Sequence, residues 1–283
     1  MATEVGRTVV RPRGSALGRR VLIAAVLGWF GLLILVPTAA IAREAFADGI
    51  GPLVKSLAKP EVVHAFTLTL VTTAVATVVN TIFGLAFAVV LTRQKFPGKT
   101  LIDGLVDLPF AVSPVVAGLM LVILYGPNGW LGRPLQSVGI QVAYAVPGMV
   151  LACLFVTLPF VVREVVPVLR EFGVDQEEVA YTLGAGRWTT FWRVTLPSIR
   201  WGLAYGVTLT VARSLGEFGA LLVISGNTIN KTQTATLYVH DAIDSLEPRG
   251  AYAASLVLAG ASFVLLVGME MVRKRVATRE GKV

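Results

Sequence analysis

Cysteine, histidine and charge are all scarce in this chain. Its one cysteine, Cys153, sits inside an apolar run among 283 residues, so neither an internal disulfide nor a cysteine-based metal site can be assembled. His64 and His240 are the only histidines and lie far apart, with no H-x-x-x-H spacing. A zinc site is therefore not expected, and both are read as polar loop residues. Charged residues make up 15% of the chain and apolar residues 55%, whereas soluble domains hold about 25% and 45–50%. That balance argues against a water-soluble fold. Catalytic signatures are missing as well. There is no G-x-x-x-x-G-K-[ST] loop to cradle phosphates, and its nearest imitation, GNTINKT at 226–232, lacks the second glycine. No G-x-S-x-G or H-E-x-x-H segment occurs either, so nothing supports covalent or metal-dependent catalysis, and no cofactor is expected on this chain.

What is present is apolar residues gathered into blocks about 20 residues long, the length that crosses a bilayer. They run over 21–42, 67–91, 106–124, 143–162, 202–224 and 251–272. The first follows a basic segment and ends on Ala-Ile-Ala at 40–42, which imitates a signal peptide. It is too long for one, since a signal core is about 7–15 residues, and reads as a retained span. The expectation is an all-α integral membrane protein with six transmembrane helices in one domain over 21–272, between basic tails at 1–20 and 273–283.

The net charge of +8 does not point to nucleic acid, because no basic run is interleaved with aromatics. The basic residues instead flank the blocks, where they report topology. Eighteen lie in the amino-terminal tail, the second and fourth connections and the carboxy-terminal tail. Six lie in the alternate segments: Arg43, Lys55, Lys59, Arg133, Lys231 and Arg249. Both termini are therefore expected in the cytoplasm.

The longest cytoplasmic connection, 164–201, carries the most specific pattern. Helix formers up to Leu183 stop at Gly184-Ala185-Gly186, and a second helical run starts at Arg187. Glycine ends helices readily because it adopts positive φ. The second run places Trp188, Phe191 and Trp192 at i, i+3, i+4 on one face, with Thr189, Thr190 and Arg193 on the other, and Pro197 is read as marking the approach to the next span. A helix-turn-helix this short must pack on its own membrane domain or on a partner.

This loop resembles the EAA motif of binding-protein-dependent ABC importer permeases, E-A-A, three residues, G, nine residues, I-x-L-P. Glu178, Ala180, Gly184, Leu196 and Pro197 occupy the motif positions, while Val179 and Val194 depart mildly from it. DLPFAVSPVVAGL at 107–119, TLPFVVREVVPVL at 157–169 and ARSLGEFGALLVISGN at 212–227 look like the sulfate/molybdate permease group, and the loop most resembles the W-type permease of sulfate importers. The resemblance implies a type I importer permease (MetI-like) fold in a bacterial inner membrane. It implies coupling to an ATPase through Glu178, Ala180, Gly184 and Trp188, with Leu196 and Pro197 as structural support. It also implies a T-type second permease, two ATPase subunits that hold the ATP and magnesium, an extracytoplasmic sulfate-binding protein, and lipid around the spans. Molybdate or tungstate import is the nearest alternative; a membrane anchor without a substrate path and a secondary transporter are the others.

Within the spans, Arg213 and Glu217 are the notable charges, placed near the middle of the fifth, and either would be costly to bury alone. They could neutralise each other at i, i+4, or Arg213 and Ser214 could face a path that favours an anion. Pro109, Ser113 and Pro114 interrupt the third span, which could line or gate the path or be a packed kink. Gly202, Gly206, Gly216 and Gly219 are read as sites of close helix packing.

Overall fold

The computed structural model describes residues 16–246 and 248–280; residues 1–15 and Lys282, used in the topology argument, lie outside the described residues. Helix α1 (Leu17–Phe46) is followed by α2 (Ile50–Leu57), α3 (Pro60–Arg93), α4 (Lys99–Ala111), α5 (Pro114–Tyr125), α6 (Gly132–Ser137) and α7 (Val146–Phe172). Next come α8 (Asp175–Thr182) and α9, which starts as Arg187–Thr190, passes through a π turn at Phe191–Thr195 and continues as Leu196–Leu215. Then follow α10 (Gly219–Ile224), α11 (Ala235–Asp244) and α12 (Pro248–Glu280). Among the described residues there is no strand.

By length and composition the described residues show four to five spans and not all six. Among the described residues, four helices are long and apolar enough to cross a membrane: α1, α3, α7 and the Pro248–Met271 part of α12. The third apolar block is the pair α4–α5, bent by 111° and a fifth span only if counted as one. Pro114 at the start of α5 has no backbone donor for α4 to continue into, and the chain turns at Val112 and Ser113. The fifth block is divided too, into the end of α9 and the short α10, so Arg213 lies in the last turn of a helix beside a break, not mid-span.

Both π turns sit just ahead of a proline. Val36 N–H bonds Gly31 O before Pro37, and Leu196 N–H bonds Phe191 O before Pro197. The widened turn shifts the ladder where a proline ring would otherwise meet the preceding turn, so the helix survives it. Pro197 therefore marks no boundary: the aromatic run and the helix carrying Arg213 are one rod, about 40 Å long at 1.5 Å per residue.

Helix α7 is central, packed on α3, α9 and α4, while α10 packs on α5 and α11 on α12. Glycine permits the closest of these approaches: a Cβ on Gly206 would stand 3.0 Å from Val161 Cα, and one on Gly84 2.9 Å from Val161 Cβ. Gly216 differs from the packing role expected of it, with no atom nearer than Ala212 O at 3.9 Å. Val161, Val162, Val165, Leu169, Ile199 and Leu91 fill the core at the loop end of the bundle; Met149, Ala152, Cys153, Ala220, Ile224 and Leu237 fill the opposite end. No residue in the spanning window of α1 is buried, leaving its apolar surface to lipid. The histidines are helical and not in loops: His64 is in the first turns of α3, and His240, in α11, stacks on Phe218 at 5.3 Å.

Candidate functional site

Two places bring the expected residues together. The first is the loop around Gly184. Three acidic residues, Asp175, Glu177 and Glu178, occupy the first turn of α8, where the helix dipole favours negative charge. The helix ends in a Schellman arrangement: Gly184, at φ +86°, donates to Tyr181 O (3.0 Å), and Ala185 donates to Ala180 O (3.0 Å). Ala180 thus supplies a carbonyl to the cap. Past the turn, Trp188 stacks on Phe191 at 6.0 Å, and Trp192 meets both edge-on. Trp188 is 73% exposed and Leu183 82%, and Val179 and Trp192 are exposed as well, so both sides of the turn present large apolar groups, the kind that mark a protein contact. Leu196 and Pro197 lie just beyond the π turn that joins this surface to α9.

The two neighbouring glutamates have opposite environments. Glu178, the motif residue, is exposed, whereas Glu177 is 8% exposed and paired with Arg93 (Nε to Oε2, 3.0 Å). Thr195 Oγ1 also donates to Glu177 Oε1 at 2.8 Å. The spacing pattern singled out only Glu178; Glu177 and Arg93 were missed, and no local signal separates one glutamate from the next.

The second place is the break between α9 and α10. Arg213 Nη1 lies 2.7 Å from Glu217 Oε2; the Glu217 side chain has no exposed surface, and that of Arg213 is one-third exposed. The pairing and the open side of Arg213 occur together. Glu217 Oε1 accepts the Ala220 N–H (2.9 Å), and Glu217 O accepts from Thr236 Oγ1 (2.7 Å), so the backbone groups freed by the break are satisfied inside the protein. Ser214 is buried, and its hydroxyl has no hydrogen-bond partner among the described residues. The break in the third block abuts this one: a Cβ on Gly219 would lie 3.1 Å from Pro114 Cβ, and Gly118 lies against Ala220. Pro114 therefore joins the Glu217 region, while Ser113, beside it, is exposed.

Polar groups missed in the sequence line the bundle nearby. Thr69, Thr72, Thr73, Thr77 and Asn80 are buried along α3, and Asn80 Nδ2 donates to Leu154 O (3.0 Å) and Thr157 Oγ1 (2.9 Å) on α7. Their helical spacing inside an apolar block is a signal that could have found them. Arg163 on α7 holds Asp107 (2.6 Å) and Asp103 (2.7 Å), two carboxylates one turn apart on α4, and so fixes α4 against the centre.

A bent and a broken helix thus meet beside the Arg213–Glu217 ion pair, and a loop with exposed aromatics lies apart from them. Residues 80–278 match the model of the family described as binding-protein-dependent transport system inner membrane component. This chain belongs to that family. The permease is 51% identical over 246 residues to the sulfate transport system permease protein CysW of Synechococcus elongatus, covering 87% of this chain and 86% of the relative. It is 40% identical over 248 residues to the sulfate transport system permease protein CysT of Escherichia coli K12, covering 88% and 90%. Among solved structures, a bacterial alginate ABC transporter in complex with alginate pentasaccharide-bound periplasmic protein shares the permease fold, with TM-score 0.76, 18% identity and 91% and 94% of the two chains covered. The molecule is thus a multi-pass membrane protein of a transport family.

Proposed function

We propose that this permease is one half of the membrane path of an ATP-driven importer that brings sulfate and thiosulfate into the cytoplasm by alternating access. The observation that carries the reading is the 51% identity, over most of the chain, to a relative named for sulfate transport. It favours sulfate over molybdate or tungstate. The likeness to a T-type relative supports a second, homologous permease as partner, and the fold shared with a transporter bound to a periplasmic protein supports delivery by an extracytoplasmic binding protein. Two ATPase subunits, with their ATP and magnesium, serve the permease pair, and one of them docks on the exposed surface around Gly184 and Trp188 of this chain; this chain binds no cofactor and hydrolyses nothing. Closure of the ATPase pair pushes the loop, and α9 carries the displacement along one rod to Arg213 and the break at Glu217. Arg213, with one-third of its side chain open, is the group in the path that favours an anion.

Reconstituted with its partner subunits and binding protein in liposomes, the permease is expected to accumulate radiolabelled sulfate with ATP and to stop without the ATPase. Molybdate at tenfold excess should compete weakly. Uptake that persists without ATPase, or molybdate uptake in preference to sulfate, would refute the reading. Orientation is tested separately: tags at residues 3 and 281 should be shielded from an impermeant reagent in whole cells, and a tag near Lys231 labelled. The reverse pattern would invert the topology.

A further inference from the structure

Helix α8 has eight residues, too few to be stable by itself, so what it transmits depends on how it is tied to the bundle. Two ties are covalent, through Gly173 and Val174 to α7 and through Gly184 to α9. A third runs through side chains and begins at Arg93. This last residue of α3 donates Nη1 to Leu169 O (3.2 Å) and Nη2 to Gly173 O (2.6 Å), carbonyls at the carboxy-terminal end of α7. A cation is favoured there by the helix dipole. The same guanidinium closes on Glu177 with a hydrogen bond from Nη2 to Oε1 and an ion-pair contact of Nε with Oε2, each 3.0 Å, the second lacking hydrogen-bond alignment. Such a fork fixes orientation as well as distance. Glu177 Oε1 in turn accepts from Thr195 Oγ1, which lies in the π turn of α9. Three side chains, those of Arg93, Glu177 and Thr195, thus join α3, α7, α8 and α9 in one unit.

We infer that the largely buried Arg93–Glu177 fork is a joint through which displacement of α8 reaches the spanning helices, making both positioning residues for coupling. The inference rests on the proposal that an ATPase drives this chain. An apolar contact can slide as the loop moves, but opening this pair would leave charge with little access to water, so the pair stays closed and the four helices move together. The route is distinct from the exposed residues of the motif: Glu178 and Trp188 are placed to meet the partner, whereas the Arg93 and Glu177 side chains are only 14% and 11% exposed and pair with each other.

The test uses the whole complex in liposomes, with radiolabelled sulfate uptake and ATP hydrolysis measured with and without loaded binding protein, each divided by the amount of assembled complex. Glu177→Gln is expected to lower stimulated hydrolysis and uptake per complex by about tenfold while unstimulated hydrolysis stays within about twofold. Arg93→Lys, which keeps charge but loses the fork, should fall between this and wild type. Thr195→Val removes one hydroxyl from the carboxylate with almost no change of shape, and a loss of about threefold is expected. If the variants lower only the amount of complex, leaving stimulation per complex intact, the fork is a folding contact and the inference is overturned. Should both charged variants fail to assemble, Thr195→Val decides, and wild-type stimulation in it overturns the inference. A wild-type complex that is stimulated yet moves no sulfate refutes the substrate reading instead, and stimulated hydrolysis still tests the joint.

Discussion

Gly184→Val is expected to abolish sulfate uptake and binding-protein-stimulated ATP hydrolysis while leaving membrane insertion and pairing with the second permease largely normal. At φ +86° the backbone is in the left-handed region, which a β-branched residue enters at a cost of about 1–2 kcal/mol or more. Beyond its chain neighbours nothing lies within 4 Å of where the new Cβ would sit, so the strain lies in the backbone dihedral and not in a clash of that Cβ. The chain relieves it by leaving the turn, which breaks the bonds from Gly184 to Tyr181 O and from Ala185 to Ala180 O. Helix α8 then loses its cap, and the exposed Val179 and Leu183 lose their fixed orientation relative to Trp188 and Trp192. Gly184→Ala, less restricted, should retain part of the stimulation. Co-purification of the ATPase and stimulated hydrolysis in liposomes provide the measurement; wild-type stimulation in the valine variant would show that the angle between the two runs does not matter for coupling.

The limits of the linear reading have physical causes. Block length exposes a bilayer-spanning helix because hydrocarbon thickness is fixed, and α1, α3, α7 and α12 were legible for that reason. The same count fails where a block is apolar but not continuous. Pro109, Ser113 and Pro114 announced an interruption, but a bend of 111° is set by how α5 packs on α10, which no local pattern contains. The division at 216–218 was hidden further, because glycines beside Glu217 read equally well as packing residues. It exists because Glu217 can satisfy the Ala220 N–H and Thr236 can satisfy the Glu217 carbonyl, partners 3 and 19 residues away. The loop was legible in outline because capping is local: Gly184 adopts the expected positive φ from its own chemistry. Burial is not local. Which of two adjacent glutamates turns inward depends on Arg93, 84 residues earlier, and the continuity of α9 through Pro197 depends on a π turn that sequence pattern does not announce.

The pairing at the α9–α10 break changes how the path should be probed. Arg213→Ala is expected to lower both assembly and uptake, because it leaves Glu217, with no exposed side-chain surface, charged and without its counter-ion. Removing one partner of a buried pair costs about 3–5 kcal/mol; one-third exposure of Arg213 places the cost of the reverse change, loss of Glu217, below that range. The informative variant removes both charges. In Arg213→Gln with Glu217→Gln the charge penalty is gone, and the amide oxygen of the new glutamine can still accept from Ala220 N–H, so α10 keeps its cap and assembly should recover towards wild type. Uptake of sulfate per assembled complex should nevertheless stay down by about tenfold or more, because the positive group facing the open side is missing. Arg213→Lys, with Glu217 intact, keeps charge but not the planar geometry and should retain part of the flux. Stimulated ATP hydrolysis in the double variant should remain, since α8, the fork at Arg93 and the rod from Arg187 up to the turn before Arg213 are untouched; hydrolysis would then run without matching transport. Wild-type uptake by the double variant would mean that Arg213 does no more than balance Glu217, and the anion would have to be recognised elsewhere in the bundle.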